Sequence, residues 1–215
     1  MKNSNLFDII DERSDRMKKI IVLLLIFITG CSVVRIDTNS IDNILSVVLS
    51  KNNTLYNQVG QGYKYYIPRG VSYIETNELN ETLYFNGNYY YLYIDIVSYY
   101  FKTDIDYEIN ENAYYSKKIH NKNGDGYLEI NEKDGLYYVN FFYNYAKIEA
   151  IVSRENLNDT ILNASYILST IKYNENTIEL MLNDDYFTNR TGKYDEYSSK
   201  EDSNRFQIID EEEEG

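Results

Sequence analysis

Tyr127-Leu128-Glu129-Ile130, Leu136-Tyr137-Tyr138-Val139-Asn140-Phe141-Phe142-Tyr143 and Lys147-Ile148-Glu149-Ala150-Ile151-Val152, with the turn Lys133-Asp134-Gly135 between the first two, decide the fold class. Side chains along a strand alternate between two faces, so apolar residues at every second position mark strands with one buried face. Asp-Gly supplies the positive φ of a tight turn, and so short a connection joins antiparallel neighbours. Upstream, the same period of two predicts strands over residues 63–67, 71–75, 83–85 and 89–97, with turns at Pro68-Arg69-Gly70 and Asn86-Gly87-Asn88. Helical periods frame this block. Ile44, Leu45, Val48 and Leu49 predict a first helix capped by Ser40 or Asp42, and Leu157, Ile161, Ala164, Leu168 and Ile171 predict a second over about 157–171, capped by Asn156 or Asn158. The order helix, strands, helix gives an α+β domain, an antiparallel sheet flanked by an N-terminal and a C-terminal helix.

Within this block, Tyr65-Tyr66-Ile67-Pro68 as a strand ending in proline, the antiparallel sheet, and the closing run Tyr166-Ile167-Leu168-Ser169-Thr170-Ile171-Lys172-Tyr173 resemble PsbP-like lipoproteins. The resemblance covers residues 63–173. It implies an α/β/α sandwich and a binding or assembly role in place of a reaction.

Ahead of the domain, Lys18-Lys19 precedes the apolar run Ile20 to Ile28, which leads to Ile28-Thr29-Gly30-Cys31. A bilayer span needs about 20 apolar residues, so this run is too short to cross and instead has the parts of a secretory signal. Its last four residues resemble the lipobox of bacterial lipoproteins. That resemblance implies diacylglyceryl transfer to the Cys31 sulfur, cleavage after Gly30 and further acylation with palmitate-type chains. Two or more acyl chains hold a protein at a membrane where one binds only marginally. Asp8, Asp11, Glu12 and Asp15 contradict the basic start a signal requires, so residues 1–16 read as an extension and Met17 as the start of the signal over 17–30. The domain is expected over 31–188. From residue 189 apolar residues thin out, and residues 193–215 carry nine acids against three bases, the composition of a disordered acidic tail.

A formal charge of −13 repels nucleic acid and anionic headgroups, which leaves the acyl chains as the expected membrane link and a protein or cell-wall component as the expected partner. The 25 tyrosines, with abundant Asn, Ile and Lys, match AT-rich codons and so point first to base composition. His120, the lone histidine, falls in a hydrophilic loop region and Cys31, the lone cysteine, is taken by the lipid, so neither a Ser-His-Asp nor a Cys-His arrangement is expected, and no cofactor motif appears. Asn121-Lys122-Asn123-Gly124-Asp125-Gly126-Tyr127-Leu128-Glu129-Ile130-Asn131-Glu132 matches most slots of a calcium loop, with oxygens from Asn121, Asn123, Asp125, the Tyr127 carbonyl and Glu132, and with Gly126 making the sharp turn. Asn stands where such loops begin with Asp, and a strand follows where they have a helix, so a plain Asn/Gly turn is expected and no metal is assigned. Tyr89, Tyr91 and Tyr93 alternate with Tyr90, Leu92, Ile94 and Ile96, giving one tyrosine face suited to sugars or a partner and one apolar face.

The sequence thus predicts a lipid-anchored protein on the extracytoplasmic face of the cell membrane with a non-catalytic binding or scaffolding role. A calcium-dependent or wall-glycan-binding module is the alternative, and a hydrolase built on paired carboxylates comes third. Cells given a labelled fatty acid are expected to incorporate it into the wild-type protein and not into Cys31→Ser. Undiminished label in that variant removes the anchor.

Overall fold

The computed structural model describes residues 18–19 and 36–183. Cys31, the acidic tail and most of the signal segment lie outside the described residues, and the fold belongs to the unit that begins at Thr38.

The chain opens with helix α1 (Ile41–Leu49), where the Ser40 side chain accepts a hydrogen bond from the Asn43 amide at 3.3 Å. Its apolar stripe, Ile44, Leu45, Val48 and Leu49, is buried as its spacing requires. Two short strands come next, β1 (Gln58–Val59) and β2 (Tyr63–Tyr65). The turn at Pro68 to Gly70, expected to close a hairpin, instead passes the chain from one sheet to another, because β2 pairs with β1 and, near the end of the domain, with β10 (Lys172–Tyr173).

The second sheet has seven strands: β3 (Ser72–Asn77), β4 (Asn80–Phe85), β5 (Asn88–Ile94), β6 (Tyr115–Asn121), β7 (Gly124–Lys133), β8 (Leu136–Tyr143) and β9 (Ala146–Ser153). Its order is β3-β4-β5-β9-β8-β7-β6, with every pairing antiparallel. Two meanders are therefore sewn together along β5 and β9. Four of their five hairpins turn on residues with positive φ: Glu78, Asn86-Gly87, Asp134-Gly135 and Asn144-Tyr145.

Alternation then sorts the faces. Leu83, Tyr90, Leu92, Ile94, Leu128, Ile130, Val139, Phe141, Ile148, Ala150 and Val152 all point inward and are buried. Helix α3 (Leu157–Thr170) lies on this face over β8 and β9, with α1 beside it. All five of its predicted core positions are fully buried, and each aliphatic one contributes roughly 1.5–3 kcal/mol relative to exposure. Asn156 precedes it without a side-chain cap, since its carbonyl accepts from Thr160 and its side chain from Asn86. The α+β architecture of an antiparallel sheet flanked by N-terminal and C-terminal helices is what the structure shows. Two helices were not foreseen, α2 (Ile96–Phe101) and α4 (Glu175–Asn183). The strand predicted over 89–97 stops at Ile94 because Asp95 accepts from the Ser98 amide at 2.8 Å and caps α2.

The small sheet shares the inner face through one polar contact. Glu81 of β4 points inward beside Leu83, is 2% exposed, and accepts hydrogen bonds from the hydroxyls of Tyr63 and Tyr65 on β2. Burial, and then the neighbouring carboxylate, push both phenols far above their ordinary pKa, so they remain donors at any physiological pH. Glu81→Ala leaves two buried hydroxyls without an acceptor and is expected to lower unfolding free energy by about 3–5 kcal/mol in urea titrations. The exposed control Glu132→Ala is expected to stay within about 0.5 kcal/mol of wild type.

Candidate functional site

The other face of the seven-stranded sheet carries the residues that alternation turned away from the helices. Register places them in cross-strand rows. One row runs Tyr127, Phe142, Lys147 and Tyr93 across β7, β8, β9 and β5. The next runs Glu129, Asn140, Glu149, Tyr91 and Thr82. Tyr84 and Tyr89 face each other at the far side, edge to face, with centroids 5.2 Å apart.

The segment between α2 and β6 folds over part of this surface. Tyr107 from that segment stacks on Tyr127 at 4.0 Å with rings 3° from parallel, and Tyr127 continues to Phe142 at 5.7 Å and 8°. These parallel rings cover one another, so their faces are spent internally. The tyrosines predicted as a row divide accordingly. Tyr89 is half exposed, Tyr91 and Tyr93 are partly covered, and the intervening Tyr90, Leu92 and Ile94 are buried as expected.

The row's charged groups are tied into the same cover. Glu129 accepts from Tyr107 at 2.7 Å, Asn131 at 2.9 Å and Asn110 at 3.2 Å. Burial alone would raise its pKa, yet these three donors hold it below the usual carboxylate range. The Tyr107 hydroxyl is pushed up to about 12, first by burial; the Ser116 hydroxyl offsets part of this and Glu129 adds to it. Lys147 is 2% exposed, its ammonium lying 2.8 Å from Glu149 and 5.0 Å from the centre of the Tyr93 ring. Desolvation pulls its pKa below the ordinary lysine value, and Glu149 offsets this only in part.

Glu129 and Glu149 are the paired carboxylates a hydrolase reading needs. They share a face but stand on alternate strands with Asn140 between, hence about 10 Å apart at the backbone, and each is engaged by its own partners.

The calcium-like loop is a hairpin. Asn121 ends β6, Gly124 begins β7, and the two are paired across a turn made by Lys122 and Asn123. Asn121 accepts from the Asn123 amide and from Tyr143, while the Asn123 amide group donates to the Leu49 carbonyl at 2.8 Å, fastening the turn to α1. Gly126, assigned to a sharp turn, instead lies within β7, where a Cβ would stand 2.1 Å from the Phe142 carbonyl oxygen. Glu132 lies seven strand residues beyond Asp125, about 23 Å, so the candidate oxygens are strung along a strand and do not converge. His120, expected in a loop, is a β6 strand residue paired with Asp125. Among the described residues no three His, Cys, Asp or Glu side chains are grouped to hold a metal, and no helix is long and apolar enough to cross a membrane.

Sequence reasoning passed over Lys147 and Glu149 because a lysine at an outward strand position reads as solvated. The available signal was their spacing of two, which puts opposite charges on one face among aromatic neighbours. Comparison of the chain with protein-family models, with curated proteins and with solved structures finds no match in any of the three.

Glu149→Gln strands a buried ammonium and is expected to cost about 3–5 kcal/mol in urea unfolding, whereas Lys147→Met combined with Glu149→Leu, which removes both charges, is expected to cost far less. Because the folded-state pKa of Lys147 is depressed, its penalty applies fully at neutral pH. It is relieved as pH rises through that value toward the unfolded 10.5, so the deficit of Glu149→Gln should narrow with rising pH.

Proposed function

We propose that this protein is a lipid-anchored binding or scaffolding module, held through Cys31 on the outer face of the cytoplasmic membrane, and that the open face of its large sheet is the contact surface. The observation that carries this reading is the combination of one sealed face and one aromatic, half-covered face on a single broad sheet. Tyr84, Tyr89, Tyr91 and Tyr138 offer apolar bodies with polar tips, the side-chain type enriched at contact surfaces. The resemblance of residues 63–173 to PsbP-like lipoproteins supports the same role.

A non-catalytic function is favoured because the charged groups on this face are consumed in holding it. Glu129 has three donors and a lowered pKa, the opposite of what a general acid needs. Glu149 neutralises Lys147. A wall glycan is the second reading, favoured by the edge-to-face pair of the half-buried Tyr84 and the exposed Tyr89.

A photo-crosslinking residue at Tyr89 or Tyr91 in the lipidated protein is expected to yield one discrete protein adduct in intact cells, lost when Tyr84 and Tyr138 are changed to Ser. The same probe at Ser46, exposed on α1, is expected to yield none. Equal labelling from both faces would remove the assignment. Binding to purified cell walls that disappears in the same double variant, without a protein adduct, would install the glycan reading.

A further inference from the structure

A groove of about 870 Å³ opens where the small sheet meets α2 and α4, with Lys64, Lys172, Tyr99, Tyr173 and Glu175 among its walls. Lys64 and Lys172 occupy directly opposed positions on β2 and β10. Tyr63 and Tyr65 turn inward on either side of Lys64, so the two lysines share the outward face, in one row with Val59 of β1. Opposed residues hold their Cβ atoms about 4.5–5.5 Å apart, and like charges placed there destabilise a sheet.

Among the described residues no acid relieves that repulsion, since neither ammonium lies within ion-pair distance of a carboxylate. The Lys64 ammonium rests 3.9 Å above the centre of the Tyr56 ring, a contact that brings no anion to it. Glu175, the carboxylate in the groove wall, is already taken by Lys102 at 3.6 Å and by the Tyr99 hydroxyl at 3.4 Å. The wall itself is braced. Tyr99 and Tyr173 stack at 3.9 Å, and the Tyr173 hydroxyl donates to the carbonyls of Asn144 and Tyr145. In a chain of net charge −13, two cations have thus been set side by side at the edge of a preformed cavity.

We propose that this groove binds a small phosphate-bearing ligand, its dianionic group seated between the Lys64 and Lys172 ammoniums. A phosphate monoester carries close to two negative charges at neutral pH and matches two lysines, whereas a carboxylate leaves one of them uncompensated. Lysine serves phosphate as a mobile point charge and does not require the planar fork geometry of arginine. The volume lies in the range of small-molecule sites. This site is separate from the open sheet face, so neither assignment depends on the other.

Glucose 1-phosphate is the probe, titrated into the full chain at low salt and monitored by backbone amide shifts, with glucose and glucuronate as the neutral and singly charged controls. Saturable shifts at residues 59–64 and 172–177 are expected with glucose 1-phosphate, weakening with added salt, and none with glucose. Lys64→Gln together with Lys172→Gln is expected to weaken binding by about tenfold or more. A readout without ligand guards against trivial loss of folding: Lys172→Gln should raise the melting temperature, since it removes the repulsion. Absence of saturable shifts, glucuronate binding as tightly as the phosphate, binding that survives both substitutions, or a lowered melting temperature in Lys172→Gln each overturns the proposal. So does lysine-dependent sedimentation with phosphatidylglycerol vesicles in a protein that ignores glucose 1-phosphate, which would give the groove to a lipid surface.

Discussion

A single carboxylate sealed between two sheets sets the arrangement of everything around the groove. Glu81 is buried on the inner face between Leu83 and Leu92, and a carboxyl group cannot remain there without hydrogen-bond partners. Tyr63 and Tyr65 are the donors. Both come from the central strand of the small sheet, so satisfying one buried acid fixes where that sheet lies, and with it the row Val59, Lys64 and Lys172 on its far side. The inward tyrosines and the outward lysine are neighbours on one strand of three residues. Structure and surface chemistry are here two sides of the same short segment.

The open face is held by a different set of contacts. Its charged groups are neither solvated nor directed at a substrate; they are satisfied locally by the segment that crosses over from α2, through Tyr107 and Asn110 to Glu129, and by the adjacent pair Lys147 and Glu149. Such half-buried networks rigidify a surface because loosening any member exposes another without its partner. What remains accessible is a plane with tyrosines at its far side.

The parts of this fold that could be read from the sequence are those where local chemistry and tertiary position agree. The alternation in β7, β8 and β9, the Asp134-Gly135 and Asn86-Gly87 turns and the stripe of α3 each answer to a rule that acts within a few residues. β6 was missed because Tyr115-Ser116-Lys117-Lys118 has too little apolar character to alternate, its place being set by pairing with β7. Asn144-Tyr145 turns with positive φ at two residues lacking glycine, a conformation imposed by the strands it joins. The strand predicted over 63–67 is present as β2, but the small sheet and its groove were illegible because its partners β1 and β10 are two residues long, below any period that a sequence window can register, and β10 lies more than a hundred residues away.

The seam between β5 and β9 has a consequence for how the molecule comes into being. Every other ladder of the large sheet joins consecutive strands, whereas this one unites Tyr90 to Ile94 with Ala146 to Ala150, residues roughly 50–60 positions apart, and closure over such distances slows folding. A chain delivered from its N-terminus presents β3, β4 and β5 as a meander whose apolar edge has no neighbour until β9 emerges. The helix that covers the joined inner face comes later still. Throughout that interval Tyr90, Leu92 and Ile94 lie on an unpaired strand edge, the form of intermediate most prone to association with its own kind. Chain order thus gives this protein a vulnerable adolescence, and its yield in any cell should be governed by whatever shields that edge until the second meander arrives.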